Sequence, residues 1–242
     1  MADRFYTPDP LAPGEFALRG DDAHHLTAVR RFAPGDRVTL FNGDGHEYPA
    51  EVVSTGKKLA VLTVLAREAV SREPPFPVVV GSALPKGDRA DYLIEKLVEV
   101  GATRFVPLVT ARSVVQPKEA KAEKLTRAVI EASKQCGRNV LMAVDPPLKL
   151  AEFLARPDLP PARFLLHTAG GSDAAGVSKG ELAHGVALAV GPEGGFSPEE
   201  VTAATAAGWR PLSFGPRVLR VETAAVVAAA WATSRPTTGD PA

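Results

Sequence analysis

The sequence predicts an α/β protein in two parts, a small all-β N-terminal domain and a larger domain with a mostly parallel sheet covered by helices. Three observations carry that prediction. Residues before Ser71 read as short strands joined by turn chemistry. The run Ser71-Arg72-Glu73-Pro74-Pro75-Phe76-Pro77 cannot continue a central strand and reads as an extended linker. Beyond it, apolar strand patterns alternate with helical ones.

In the first part, a short helix fits Asp22 to Phe32. Val38, Leu40 and Phe41 form a strand, and Asn42-Gly43-Asp44-Gly45 supplies a hairpin turn. Tyr48, Ala50 and Val52 alternate on the return, and Leu59, Val61, Thr63 and Leu65 alternate again. Short, evenly spaced strands of this kind suggest a compact β-barrel.

In the second part, Val78-Val79-Val80-Gly81 is a strand, and Asp88 is placed to cap a helix. That helix has Ala90, Leu93, Ile94, Leu97 and Val98 on one face and Gly101 as its stop. Phe105 to Val109 is a second strand. A helix from about Glu119 to Cys136 puts Leu125, Val129, Ala132 and Cys136 on one stripe, and Gly137 ends it. Arg163 to His167, Val186 to Val190 and a short Leu212-Ser213-Phe214 read as further strands. The last helix, Thr223 to about Thr233, is rich in Ala and Val and must be packed on both sides. The boundaries are 1–72 for the barrel, 73–235 for the sheet domain and 236–242 for a disordered tail of Pro, Thr and Gly.

Composition excludes several classes. No run approaches the roughly 20 apolar residues of a membrane span. Met1-Ala2-Asp3-Arg4 is no signal peptide. Cys136 is the single cysteine, which rules out a disulfide framework and a cysteine cage and points to a reducing, cytoplasmic setting. The 28 basic and 28 acidic residues cancel, so nucleic acid would be met by a local basic site and not by a basic coat. His24, His25, His46 and His184 lack ligand spacing, and no metal is expected.

Chemistry concentrates in Gly191-Pro192-Glu193-Gly194-Gly195-Phe196-Ser197-Pro198-Glu199-Glu200. The segment runs from a buried strand through a glycine-rich turn into a helix with Ser197 as N-cap, Pro198 at the first position and Glu200 completing a capping box. Ligands of α/β proteins lie beyond the carboxyl ends of strands in this geometry. The turn has no Lys and carries Glu193, so a cationic or zwitterionic ligand suits it better than a phosphate. A second such turn, Ser213-Phe214-Gly215-Pro216-Arg217-Val218-Leu219-Arg220-Val221-Glu222-Thr223, follows. Either turn alone is ordinary strand-to-helix punctuation. On neighbouring strands the two would make two walls of one pocket, charged by Glu193, Arg217, Arg220 and Glu222.

These two motifs resemble the signature pair of the ribosomal RNA small-subunit methyltransferase E family of the SPOUT superfamily. Further blocks are similar in order along the chain: His24-His25-Leu26 with Arg30-Arg31 and Gly35-Asp36, then Phe41-Asn42-Gly43; Leu84-Pro85-Lys86-Gly87-Asp88 with Glu95 to Gly101; and Glu131 to Asn139. The sequence departs at Val221, where a Thr is expected, and in the loop Thr168 to Gly180.

The resemblance implies a PUA-like barrel, a SPOUT domain with a trefoil knot, a homodimer, and transfer of the methyl of S-adenosylmethionine to N3 of a uridine in 16S ribosomal RNA. Glycine backbones at Gly191, Gly194 and Gly215 allow close approach of that ligand. Pro192, Glu193, Ser213, Phe214, Val218 and Leu219 would complete its site. His167, at a strand end, either lines the same pocket or faces solvent. Arg220 would stabilise the uridine anion. Glu222 has three readings: it accepts the N3 proton, holds Arg220, or with Thr223 simply caps the last helix. Alignment of the two reactants supplies much of such a rate.

RNA would meet local clusters, since the first 72 residues hold 9 basic and 10 acidic groups. Arg30 and Arg31 are one cluster; Arg217 is another candidate. Arg127, Lys134 and Arg138 share a helix face, though such a stripe is more commonly a solvated surface. The target base would be splayed from its stack. Two other functions stay open: a SPOUT methyltransferase acting on another ribosomal or transfer RNA position, and a non-catalytic RNA-binding or assembly factor. A dinucleotide-binding dehydrogenase lacks its Gly-x-Gly-x-x-Gly fingerprint after the first strand.

Overall fold

The computed structural model describes residues 3–115, 120–168 and 172–234. Glu119 and the tail 236–242 lie outside the described residues. The chain divides into two compact units, one of residues 1–73 with 133–141, the other of 74–132 with 142–242.

The first unit is built from β1 (Arg4–Tyr6), β2 (Gly14–Arg19), a short helix α1 (Gly20–His24) continued by a wider π-type turn (His25–Val29), β3 (Arg37–Phe41), β4 (His46–Thr55), β5 (Leu59–Val64) and β6 (Glu68–Ala69). The strands pair in the order β1-β3-β4-β5-β2, with β6 on β4. Phe5, Leu18, Leu40, Val52 and Leu62, one from each of the five long strands, share a single core with Leu26. A sheet that encloses one core with every strand is wrapped as a barrel is. The helix is shorter than Asp22 to Phe32, because Arg31 turns into the left-handed region at φ 57° and Phe32 N–H closes on Leu26 O at 3.1 Å. In β5 the buried set is Ala60, Leu62 and Val64, the opposite face from Leu59, Val61 and Thr63. Both faces of that strand carry apolar residues, so alternation alone did not say which one turns inward.

Residues 133–141 pack with this unit through a polar cluster. Arg4 donates to Glu47 Oε1 at 2.5 Å, and Arg72 reaches the same oxygen at 2.6 Å and Gly137 O at 2.8 Å. Burial works against the Glu47 carboxylate, but the hydrogen bonds from Arg72 and Arg4 outweigh it and hold its pKa below the usual range. Arg138 forms a forked ion pair with Glu73, and Asn139 donates to Val70 O at 2.6 Å.

The second unit carries β7 (Val78–Ala83), α2 (Arg89–Glu99), β8 (Arg104–Val109), most of α3 (Ala120–Cys136), β9 (Ala143–Val144), β10 (Leu148–Lys149), α4 (Leu150–Leu154), β11 (Ala162–Leu166), β12 (Ser172–Asp173), β13 (Val186–Val190), α5 (Pro198–Ala206), β14 (Arg210–Ser213) and α6 (Val221–Thr233). All recorded pairs in its sheet are parallel, in the order β10-β8-β7-β13-β11-β14-β12 with β9 on β8. β7 and β13 are buried along their whole length, as continuous apolar runs require. On one side, Phe153 and Trp209 pack with tilted rings within a core shared with Val79, Leu108 and Ala187. On the other, α6 packs against α2, β7 and β13 through Ala225, Ala228, Ala229 and Ala232.

Helix ends show how local chemistry shapes this unit. Gly101, at φ 88°, closes α2: Ala102 N–H reaches Leu97 O at 2.9 Å and Gly101 N–H reaches Val98 O at 3.1 Å, the double bond of a Schellman stop. At the other end Asp88 holds the cap position but its side chain makes no capping bond. The last helix begins two residues earlier than Thr223, with Arg220 at its N-cap position. Neither Glu222 nor Thr223 is a cap, and that reading is withdrawn.

Candidate active site

A cavity of about 310 Å³ opens beyond the carboxyl ends of β11, β13 and β14. The two glycine turns are not on adjacent strands. β11 lies between β13 and β14, and its His167 N–H donates to Leu212 O at 2.9 Å. The two turns therefore face each other across the end of β11. His167 sits between them, lining the cavity.

The first wall is Gly191 to Phe196. Gly195, at φ 67°, bends the chain, and its N–H closes on Pro192 O at 2.8 Å. A Cβ on Gly191 would stand 3.2 Å from the buried Phe196 ring, so a side chain there would push that ring by a few tenths of an ångström. Ser197 Oγ accepts from Glu200 N–H at 3.2 Å, and Glu200 returns one oxygen to Ser197 N–H at 2.8 Å. The capping box stands as the sequence predicts it. Its second oxygen accepts from Ala111 N–H at 2.8 Å, so the cap also fixes the loop after β8. From that loop Arg112 donates to Gly194 O at 2.8 Å and Phe196 O at 3.4 Å.

The second wall is Ser213 to Leu219. Ser213 Oγ donates to Gly215 O at 3.2 Å, and Gly215 takes φ 96°, a conformation that favours glycine. Val218 stands 83% exposed at the rim beside Arg217, which is also exposed. Val221, in place of the expected Thr, is buried and gives the cavity an apolar side with Ala224.

All ten residues expected to bind the ligand line this cavity: His167, Gly191, Pro192, Glu193, Gly194, Ser213, Phe214, Gly215, Val218 and Leu219. Arg217 joins them. Arg220 and Glu222 bracket the lining residue Val221, with Arg220 exposed and Glu222 only 6% exposed. Glu222 turns to Arg89, whose Nη1 lies 3.5 Å from Oε1, while Oε2 is buried and has no hydrogen-bond partner. Nη2 of Arg89 lies 3.5 Å from Glu193 Oε1.

The RNA candidates divide. Arg30 is exposed and paired with Asp3 at 2.5 Å; Arg31 is exposed at its left-handed turn. Arg138 is corrected: at 3% exposure, with its guanidinium forked onto Glu73, it is a buried structural ion and leaves the RNA-contacting set. Lys134 is likewise drawn to Asp22 at 2.7 Å. Among the described residues no group of three His, Cys, Asp or Glu side chains is placed to hold a metal ion. No described helix is long and apolar enough to cross a membrane.

The sequence reading missed Arg89, Arg112, Thr168 and Phe196. Arg89 and Arg112 lie 104 and 82 residues from the loop atoms they touch, and no local pattern announces such a contact.

The glycine walls suit S-adenosylmethionine. They offer main-chain groups and close approach, they place no lysine against the ligand, and their anion, Glu193, tolerates a sulfonium cation. The volume is at the low end of the roughly 300–1,000 Å³ usual for small-molecule sites. A parallel α/β unit with this pocket at its strand ends, in a chain that also carries a wrapped β unit, has the make-up of an RNA methyltransferase. Family models agree: one described as an RNA methyltransferase domain matches residues 72–233, and one described as an RNA methyltransferase PUA domain matches 18–65.

The chain belongs to the ribosomal RNA small subunit methyltransferase E family. It is 35% identical to that enzyme of Synechocystis over 92% of this chain and 74% of the relative. The Bacillus subtilis enzyme of the same name is 32% identical over 88% and 87%. Among solved structures, a Legionella pneumophila methyltransferase in complex with the cofactor SAM superposes with a TM-score of 0.90 at 33% identity, covering 97% of this chain and 98% of that one. A ribosomal RNA small subunit methyltransferase E from Neisseria gonorrhoeae bound to S-adenosyl methionine gives 0.87 at 29% identity over 95% and 96%.

Proposed function

We propose that this protein methylates N3 of a specific uridine in 16S ribosomal RNA, with S-adenosylmethionine as the methyl donor. The observation that carries the reading is the convergence of both glycine turns and His167 on one cavity, with Arg220 and Glu222 flanking its lining residue Val221 in sequence. When bound, S-adenosylmethionine supplies a methyl group activated by its sulfonium charge. Gly191, Gly194 and Gly215 admit it closely, the main chain of Ser213 to Leu219 meets its adenine, and Val221 and Phe196 keep water from the walls. Uridine N3 carries a weakly acidic proton that must leave before the nitrogen can attack. Glu222, next to the lining residue Val221, is the candidate acceptor of that proton. Arg220, exposed at the start of α6, faces the anion that remains.

The N-terminal region 1–72 serves as the RNA-binding barrel, with Arg30 and Arg31 on the RNA and Arg217 contacting it at the cavity rim. The region 73–235 is the methyltransferase domain. A trefoil knot in that domain goes with this reading through the family resemblance alone. Exposed Tyr92, Val218 and Val227 support a homodimer face on α2, the second turn and α6. A ribosomal substrate supports a cytoplasmic setting.

The test is mass-spectrometric mapping of methyluridine in ribosomal RNA from cells with and without the protein. Loss of one N3-methyluridine, restored by the gene, is expected. Retention of every such nucleotide would refute the reading. Calorimetry should show S-adenosylmethionine binding, and its absence would leave only an RNA-binding factor.

A further inference from the structure

Arg89 sits at the first position of α2, where a helix favours acidic side chains and disfavours a cation. Helix stability therefore does not account for an arginine there. Its two terminal nitrogens are divided between two carboxylates from different segments, Nη1 to Glu222 on α6 and Nη2 to Glu193 on the first glycine turn, each at 3.5 Å.

The two carboxylates differ. Glu193 is half-exposed and meets solvent as well as Arg89. Glu222 is buried, and burying a carboxylate is costly unless it is paired. Arg89 is the cation beside it, and a guanidinium does not lose its proton in proteins. It engages Oε1 and leaves Oε2 without a partner.

We propose that Arg89 is a positioning residue of methyl transfer: by bridging Glu193 and Glu222 it holds the Glu222 side chain in place and ties the cofactor-binding turn to it. This rests on the functional reading above. The two contacts are long and loose, the condition of a site whose hydrogen bonds tighten when its ligands arrive. A lysine in its place keeps one charge but has a single nitrogen, so it does not span both carboxylates.

The test uses the full-length protein, with methyl transfer to small-subunit RNA measured at steady state, S-adenosylmethionine affinity measured by calorimetry, and melting followed in parallel. R89A should lower kcat by about tenfold or more while raising the ligand Kd only a few-fold, on the scale of a disabled proton acceptor. R89K should recover part of kcat. In an E222Q background R89A should cost little more, because both changes disable the same group. Near-normal kcat in R89A, or losses that multiply in the double variant, would overturn the proposal. If R89A melts early, R89K carries the same double-variant test. A wild-type protein that neither binds S-adenosylmethionine nor methylates RNA fails the functional reading itself; an active wild type with an unaffected R89A fails this one alone.

Discussion

The two ends of the parallel sheet each hold a cavity, about 310 Å³ at the carboxyl ends of its strands and about 380 Å³ near the amino ends of β7 and β8. Size does not distinguish them; the state of their polar groups does. At the amino end Arg104 meets Asp158 at 2.7 Å, and Arg156 holds both Asp158 at 2.6 Å and Asp145 at 2.5 Å. Prolines 157 and 160 stiffen that rim. Every one of those charges is closely matched. At the carboxyl end Arg89 is stretched between two carboxylates, Glu222 keeps a buried oxygen unpaired, and glycines replace side chains in the walls. A saturated network holds a fold together, while an unsaturated one leaves something for a ligand to complete.

Replacing one arginine at each end should break that symmetry most. Arg220→Ala is expected to lower kcat for methyl transfer by roughly 10²–10³, the scale for losing one preorganised charge at a reacting centre. Oligomer mass in sedimentation should not change. Arg104→Ala should leave kcat within about twofold, as surface changes away from a site do. Comparable turnover in the two variants would sink the distinction and the role of Arg220 with it.

Glycines sharpen the comparison at an intermediate level. Gly215, in the second wall, and Gly208, in the turn after α5, both have positive φ, 96° and 83°. Alanine at either place costs on the order of 1–3 kcal/mol of backbone strain. At Gly208 nothing lies within 4 Å of the new methyl and no ligand surface is near, so Gly208→Ala should lower the melting temperature and leave affinity alone. At Gly215 the free loop can relax, and binding must pull it back. Gly215→Ala should weaken S-adenosylmethionine by about tenfold in calorimetry. Equal affinities for the two variants would show that the second turn is not a wall of the binding site.

The same contrast says what the sequence could reveal. Strands β7, β8 and β13, the capping box at Ser197 and the glycine stop at Gly101 follow from residues within a few positions of one another, and each appears where those residues predict it. The cavity lining was legible because both turns are continuous in sequence. What stayed hidden depends on distant pairing. Arg138 reads as an exposed helix-end cation until Glu73, 65 residues away, is placed against it. Arg89 reads as an ordinary helix start until α6 and the first turn converge on it. β1 and β2 escaped notice because their apolar runs are too short to show an alternation; β1 gains its place by parallel pairing with β3.

The smallest expected effect belongs to the saturated end. Hydrogen bonds from Arg156 and then Arg104 hold the Asp158 carboxyl far below the ordinary carboxylate range. A carboxylate with a depressed pKa in the folded state stabilises the protein above its unfolded pKa of about 3.9, and that contribution fades as pH falls toward the folded value. Asp158 is nearly half exposed, so solvent screens the pair and its worth at pH 7 is about 0–1 kcal/mol. Asp158→Asn should therefore lower the urea midpoint slightly at pH 7, and the gap to the unmodified protein should shrink below about pH 4. Methyl transfer should stay within about twofold throughout. A gap that widens on acidification would mean that the charges at this end do not stabilise the fold as paired ions, and the contrast with the unsaturated end would lose its physical basis.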